Sequence, residues 1–298
     1  MAVADTTIAA PRAHRRPSVL WDFTRSQPIA ALSFLAILAI AFAAVFADYV
    51  APYDPLSLDF AAVLTAPSAE HLFGTDNFGR DIFSRVLYGG RTALIIGVLS
   101  SALGSIVGGI IGVVSGYFSG RFDFFVQRLI DILLSFPIIV LAVVVVAMLG
   151  KYIVFGVDMN LVVAIAIPII PKVARVVRSS ALSVRELPYI DAARAAGYSH
   201  ARIIFHQMVP NVFAPFIIMF AAFVAQAILL EASLSFLGLG VTEPTPAWGL
   251  MLSGNAADFY KEAPWMIIFP GVAISVTVFA FNLFGDGLRD YLDPKFKL

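Results

Sequence analysis

The sequence predicts an all-α, polytopic membrane protein with about six transmembrane helices. Of its 298 residues, 60% are hydrophobic and only 13% are charged, whereas soluble domains carry about 25% charged residues. The mean hydropathy is +0.89. Six apolar segments are each long enough to cross a hydrocarbon layer of about 30 Å. They comprise residues 29–47, 92–118, 129–149, 161–178, 212–237 and 265–284.

The second, third and fifth of these segments lack a polar face, which excludes a soluble helical bundle. The predicted organisation is a basic cytoplasmic tail, residues 1–28, followed by one transmembrane domain, residues 29–298. The first apolar run exceeds the roughly 7–15-residue core of a signal peptide, so a retained helix is favoured over cleavage after Ala47. The fourth segment gives the weakest signal, because Pro168 and Pro171 interrupt it. Proline is tolerated there when neighbouring helices satisfy the freed carbonyl groups.

A stripe of glycine residues runs along the second segment. Gly104, Gly108, Gly112 and Gly116 recur at every fourth position, so they share one face of the helix. Small residues in such a row let a second helix backbone approach closely. We predict that the stripe packs against another helix of the assembly, at a subunit interface or beside a pore, and that it does not bind a ligand.

The lysine and arginine residues predict the orientation, because cytoplasmic loops carry an excess of positive charge. With the N-terminus in the cytoplasm and six alternating spans, fifteen of the 20 Lys and Arg residues fall inside and five fall outside. The opposite orientation reverses this ratio. Both termini are therefore predicted to be cytoplasmic.

Three of the five outside cations lie within residues 71–91. The apolar residues of this segment predict an amphipathic helix that lies along the outer membrane interface. Asp76 and Asp81 are close enough in sequence to pair with Arg80 and Arg85.

Motifs for catalysis are missing from the sequence. The only Gly-Lys pair is Gly150-Lys151, which a tyrosine follows, so the phosphate-binding Walker A pattern is absent. Hydrolase, zinc-protease and kinase signatures are also absent. The chain has no cysteine, and its four histidines lack the spacing of metal ligands. We predict no catalytic, cofactor-binding or metal-ligating residue, and the zero net charge gives no reason to expect nucleic acid as a partner.

Two acidic residues lie inside the predicted spans, where burial of a charge is costly and points to function. Glu231 is far from the cytoplasmic start of the fifth span. It is either a pore-lining or subunit-interface residue, or a structural acid with satisfied hydrogen bonds. Asp131 follows Arg128 by one helical turn, which predicts an ion pair at the membrane interface.

The long cytoplasmic connection, residues 179–211, predicts two short helices. Pro188 suits the first turn of a helix, and Gly197 is placed to end that helix in a left-handed conformation. Ser199 can cap a second helix, which is predicted to stop at Pro210. The small residues of the first helix suit a groove in another protein. The alternative is a plain surface connection, although loops of this length usually have a purpose.

These residues resemble the coupling motif of ABC importer permeases, in which E-A-A-x-x-x-G precedes a proline by thirteen residues. The motif reads here as Asp191, Ala192, Ala193 and Gly197, with Pro210 at the expected distance. Aspartate replaces the usual glutamate, and Gln207 stands where isoleucine is common. Three further stretches resemble signatures of the second permease subunit of dipeptide and oligopeptide importers, the DppC/OppC type. They are LFGTDNFGRDIFSRVLYGGRTAL (72–94), ASLSFLGLGVTEPTPAWGLML (232–252) and FNLFGDGLRDYLDPKFK (281–297).

The resemblance implies the transmembrane domain of a type I ABC importer in the bacterial cytoplasmic membrane. It implies a homologous first permease as heterodimer partner, two ATPase subunits that bind ATP and Mg²⁺, and a periplasmic or lipid-anchored binding protein that delivers a peptide. Asp191, Ala192, Ala193 and Gly197 are then expected to lie in a cleft of an ATPase subunit. The permease itself supplies alternating access, and the membrane lipid is its solvent.

Other functions are less consistent with the sequence. Another solute, such as an opine, a nickel chelate or an oligosaccharide, could use the same machinery. An ion-coupled secondary transporter usually shows inverted repeats and several midplane charges, and a membrane enzyme needs a catalytic constellation. Neither of the last two explains residues 191–210.

Overall fold

The computed structural model describes residues 19–154 and 156–292, and nearly all regular structure in this part is helical. One two-residue antiparallel hairpin, β1 (Ile153–Val154) and β2 (Val157–Asp158), follows the sixth helix. The helices are α1 (Val19–Ser26), α2 (Pro28–Val45), α3 (Ala47–Val50), α4 (Ile82–Phe118), α5 (Gly120–Ser135), α6 (Ile138–Leu149), α7 (Met159–Ala166), α8 (Ile170–Arg185), α9 (Pro188–Ala195), α10 (His200–Ile203), α11 (Val209–Phe236), α12 (Trp248–Met251), α13 (Asn255–Asp258) and α14 (Trp265–Leu292). A π-helical turn, Ile204–Met208, joins α10 to α11.

The described residues contain four continuous helices that are long and apolar enough to span a membrane, and up to six spans if each bent helix pair is one span. The continuous spans are α2, α4, the joined helix from α10 to α11, and α14. This confirms the predicted helical membrane fold and its number of spans. It also shows that two of the spans are not single helices.

The predicted third span is broken where the sequence suggested one uninterrupted helix. Helices α5 and α6 meet at an angle of 95° around Phe136 and Pro137. Proline disfavours the helical conformation of the residue before it, and Phe136 accordingly is extended, with φ −86° and ψ 137°. The fourth span bends by 47° between α7 and α8, beside the prolines that weakened its sequence signal.

Helix α4 is the centre of the fold and packs against α8, α11, α2 and α14. A Cβ at Gly108 would meet Ile170 of α8, and one at Gly116 would meet Ala181, so α4 and α8 run in the same direction. Gly97 of α4 meets Ile228 of α11, whereas Gly109 meets Phe216, so α4 and α11 are antiparallel. These directions are those of alternating membrane spans.

The glycine stripe of α4 faces α8 of the same chain, where the sequence suggested a subunit interface or a pore. A Cβ at Gly108 would lie 2.6 Å from the carbonyl oxygen of Ile170, and one at Gly112 would lie 2.6 Å from that of Ala174. The stripe is therefore already covered. Close packing was correctly predicted, but its partner was not, because sequence spacing reveals a contact face and not what covers it.

The predicted tail is helical near its end, and residues 1–18 lie outside the described part of the chain. Helix α1 follows them, and the ring of Phe23 packs edge-on at 5.3 Å from the ring of Tyr291 and at 6.4 Å from Phe284. The end of the predicted tail therefore docks against the last span.

Candidate functional site

The connection over residues 179–211, which was predicted to be cytoplasmic, folds as predicted around its first helix. Leu187 is extended, with ψ 139°, ahead of Pro188, which opens α9. Gly197 has φ +78°, and the backbone N–H groups of Gly197 and Tyr198 donate to the carbonyls of Arg194 (3.0 Å) and Ala193 (3.1 Å). This pair of bonds is a Schellman motif, which satisfies carbonyl groups at the end of a helix.

The second helix begins as predicted but does not stop at Pro210. The Ser199 hydroxyl accepts a hydrogen bond from the backbone N–H of Arg202 and caps α10. The chain then continues through the π-helical turn into α11, so that His200–Phe236 forms one helix of 37 residues. Proline lacks an N–H and clashes with the carbonyl four residues earlier, here that of His206. The wider π turn contains His206 and makes room for the ring, so Pro210 becomes the start of a span.

The first helix of the connection has an inner and an outer face. Ile190 (0% exposed) and Ala193 (5%) pack into the main hydrophobic core. Tyr189, Asp191 and Ala192 are exposed. Of the residues predicted to enter a partner's cleft, Ala193 therefore faces its own chain instead, because it follows Ile190 by three positions on the same helical face.

The connection is braced on the C-terminal end of α4. The Tyr117 hydroxyl is 2.7 Å from Nδ1 of His200, and the guanidinium carbon of Arg194 lies 5.6 Å from the centre of the Tyr117 ring. Arg194 also forms an ion pair of 2.9 Å with Asp191. A force on α9 would thus reach α4 through Tyr117 and α11 through the π turn. The histidine and tyrosine contacts were missed in the sequence, because neither residue has a regular spacing to the motif.

Glu231 is fully buried in the core, with 0% exposure. Its Oε1 accepts a hydrogen bond of 2.7 Å from the Ser235 hydroxyl, while Oε2 finds no partner within the described residues. Full burial is not the exposure expected of a residue that lines a pore or a subunit surface, and the lone Oε2 means that the hydrogen bonds of this acid are only half satisfied within the described residues. Asp131 forms the predicted pair with Arg128 at 3.7 Å and a closer one with Arg175.

A cluster of buried charges occupies the opposite end of α4, where an amphipathic helix over 71–91 was predicted. Residues 71–81 are a loop instead, and the helix begins only at Ile82, after Asp81 caps it by accepting from the N–H of Ser84. Glycines with φ of +74° and +75°, Gly74 and Gly79, interrupt the helical pattern. The predicted helix over 71–91 was wrong because it rested on the spacing of apolar residues alone and ignored the two glycines, which favour turns.

Ion pairs hold this outer cluster together. Arg80 donates to Asp76 at 2.6 Å and to Glu243 at 2.8 Å, while Arg85, 1% exposed, lies 3.9 Å from Asp76. Asp81 pairs with His71 at 3.0 Å and not with an arginine. Burial alone would lower the pKa of Arg80, but the hydrogen bonds and charges of Glu243 and Asp76 raise it above its ordinary value. Arg80 is therefore a permanent cation.

The cluster joins two of the stretches that carry the family resemblance. Besides the Arg80–Glu243 pair, the indole N–H of Trp248 donates to the carbonyl of Val86 at 2.8 Å, and the Thr92 hydroxyl donates to that of Pro246 at 2.9 Å. A cavity of about 250 Å³ lies beside the ion pairs. Residues 72–94 and 232–252 thus form one structural unit.

Residues 108–298 match the profile of the family described as "binding-protein-dependent transport system inner membrane component". The chain belongs to this family. It is 41% identical over 273 residues to the dipeptide transport system permease protein DppC of Alkalihalophilus pseudofirmus, with 92% of this chain and 88% of that one covered. It is 45% identical over 278 residues to the glutathione transport system permease protein GsiD of Salmonella paratyphi A, with 93% and 90% covered.

A solved structure supports the fold of this permease. The inward-facing MetNI methionine ABC transporter matches with a TM-score of 0.55 and 17% identity, covering 71% of this chain and 98% of that one. The predicted type I importer fold is confirmed. A member of this family works in a bacterial inner membrane with ATPase and substrate-binding subunits, so the coarse predictions of location and partners are confirmed too.

Proposed function

We propose that this permease forms half of the translocation pathway of a peptide-importing ABC transporter, paired with a homologous first permease. Two ATPase subunits bind ATP and Mg²⁺ in the cytoplasm, and an external binding protein delivers a dipeptide or short peptide. This chain is not an enzyme and holds no cofactor of its own. The names of its relatives, which transport dipeptides and glutathione, support the substrate class.

The observation that carries the proposal is the mechanical connection of α9. Its outer face, with Tyr189, Asp191 and Ala192, is free to contact an ATPase subunit. Its inner face is fixed to the core through Ile190 and, by way of Arg194, to Tyr117. Closure of the ATPases on ATP would move α9, and packed helices transmit such a shift between two discrete arrangements. Alternating access of the pathway follows from this movement.

We expect Ala192→Arg to weaken docking of the ATPase subunits and so to abolish ATP-driven transport. A long charged side chain at the centre of a docking surface costs about 2 kcal/mol or more of binding energy, while the exposed position leaves the fold of the permease intact. The measurement is co-purification of the ATPase subunits and ATP-driven uptake of a radiolabelled dipeptide into proteoliposomes. Ser183→Arg, exposed on α8 at the same side of the membrane, is the matched control. Normal uptake by Ala192→Arg would contradict docking at α9.

We expect both termini and the α9–α10 connection to be cytoplasmic, as the distribution of positive charge indicates. The chain contains no cysteine, so single cysteines can be introduced at the exposed positions Ala201 and Thr245. A membrane-impermeant thiol reagent added to intact spheroplasts should label Thr245→Cys and leave Ala201→Cys unlabelled until the membrane is opened. Labelling of Ala201→Cys in sealed spheroplasts would reverse the orientation.

A further inference from the structure

Lys172 is a half-buried cation in the middle of the membrane domain. Its Nζ lies 3.4 Å from Oε1 of Gln226 on α11 and 5.9 Å from the centre of the Phe223 ring. Among residues 19–154 and 156–292, no carboxylate forms an ion pair with it. Lys172 is one of the fifteen cations assigned to the inside by their distribution, although it lies within the predicted fourth span, 161–178.

The contacts of α4 establish this depth. Gln226 lies on α11 between Phe220, whose carbonyl accepts a hydrogen bond of 2.8 Å from Ser101, and Ile228, which packs on Gly97. Positions 97 and 101 are near the middle of α4, which runs from residue 82 to residue 118. At 1.5 Å per residue, these two positions are about 23–29 Å from the start of α4 and about 26–32 Å from its end, so the Lys172–Gln226 contact is well inside the membrane domain.

Two further cations follow Lys172 at intervals of three residues along α8, and each has an acidic partner. Arg175 pairs with Asp131, and Arg178 pairs with Asp123, both from α5. Helix α5 supplies both acids, and α6, which follows it after the bend, is entirely apolar. Arg175 and Arg178 therefore have acidic partners within the chain, whereas Lys172 contacts only the neutral amide of Gln226.

The Lys172 ammonium group does not face the lipid. A charged group at the midplane that faced hydrocarbon would be strongly unfavourable, so such groups face the bundle interior or a water-filled cavity. Gln226 adds a second polar group beside it. A lysine that lacks an acid and has an amide next to it offers an anion both a charge and an N–H donor.

We propose that Lys172 and Gln226 form a carboxylate-binding site in the translocation pathway, which receives the carboxylate of the peptide during its passage. The carboxylate accepts from the lysine ammonium and from the amide N–H₂ of Gln226. Because the site has one cation and no other charge in the described residues, binding is weak enough for release toward the cytoplasm. The identity of the anion rests on the proposed peptide function, whereas the aqueous, anion-attracting character of the site does not.

The first test probes the site without any substrate. In the assembled transporter, Gln226→Cys should react from the aqueous phase with two thiosulfonate reagents, the anionic sulfonatoethyl and the cationic trimethylammonium reagent. The ratio of the anionic to the cationic reaction rate should be about tenfold higher than in the double variant Lys172→Met/Gln226→Cys, because the lysine attracts the anion. Absence of reaction with both reagents, or an unchanged preference in the double variant, overturns the proposal. The former is the result expected if a partner subunit buries Lys172 in an ion pair.

The second test measures transport with alanyl-alanine as the probe and co-purification of the ATPase subunits as the check of assembly. We expect Lys172→Met to lower uptake about tenfold or more, since a charged hydrogen bond is lost, and Lys172→Arg to retain most of it. Normal uptake by Lys172→Met overturns the proposal. If the wild-type transporter carries no dipeptide, the proposed peptide function fails, and the thiosulfonate measurement still decides the fate of the anion site.

Discussion

Gly108→Leu should prevent stable folding of the membrane domain. A Cβ at position 108 would lie 2.6 Å from the Ile170 carbonyl oxygen and 2.9 Å from Cβ of Val173, and the remaining leucine atoms extend further into α8. The backbone of α8 cannot yield locally, because the same helix also meets Gly112 and Gly116 at short distances. Overpacking typically costs 1–3 kcal/mol, and a contact with backbone atoms places this variant at about 3 kcal/mol or above.

The measurement is thermal unfolding of the detergent-solubilised permease together with its abundance in membranes. Gly271→Leu is the matched control, because a Cβ on this glycine of α14 has no atom within 4 Å. It should unfold near the wild-type temperature. Equal stability of the two leucine variants would show that α4 and α8 are not in close contact.

Arg80→Met should destabilise the outer end of the permease by about 3 kcal/mol, because loss of one member of a buried ion pair leaves the other charge uncompensated. Asp76 is 6% exposed, and its Oδ2 depends on Arg80 at 2.6 Å. Glu243 would lose the contact that ties residues 232–252 to the loop ahead of α4. Arg85 cannot replace these hydrogen bonds, since its nitrogens lie 3.9 Å from the carboxylate of Asp76 and 3.7 Å from that of Glu243.

The same thermal unfolding assay separates this effect from the mere loss of a positive charge. Arg128→Met removes an arginine from an exposed pair with a separation of 3.7 Å, and such pairs contribute at most about 1 kcal/mol. The double variant Arg80→Met/Asp76→Asn should regain part of the lost stability, because no lone buried carboxylate remains. If Arg80→Met and Arg128→Met unfold at the same temperature, the ion pairs of the outer cluster do not stabilise the permease.

The fold was predictable where one physical signal dominates. Long apolar segments define the spans because the bilayer sets their length, and Pro188, Gly197 and Ser199 define the ends of helices because each has a conformational or hydrogen-bonding property that the position requires. The break at Pro137 was missed because hydropathy registers composition and not geometry. The two halves of a bent pair are as apolar as one straight helix.

Tertiary partners were much harder to predict. The sequence left Glu231 open between a pore or interface residue and a structural acid, because its charge alone does not show that Ser235, one turn later, is its partner inside the core. Conversely, Lys172 was placed in the cytoplasm by counting charges, and only the contacts of α11 reveal its depth. A charged residue in a span has the same appearance in the sequence whether its own chain satisfies it or not.

The π-helical turn fixes the rotational phase between the two ends of a helix that is 37 residues long. Such a turn holds one residue more than an α-helical turn, and each residue rotates an α-helix by about 100°. His200, which meets Tyr117, and Gln226, which meets Lys172, lie on opposite sides of this turn. Inserted into a regular α-helix, one residue would therefore turn the two segments by about 100°, whereas the π turn absorbs it and keeps them nearly in the phase of an uninterrupted helix. Deleting one residue from Ile204–Met208 would close the turn and leave the ring of Pro210 to clash with the carbonyl one turn earlier.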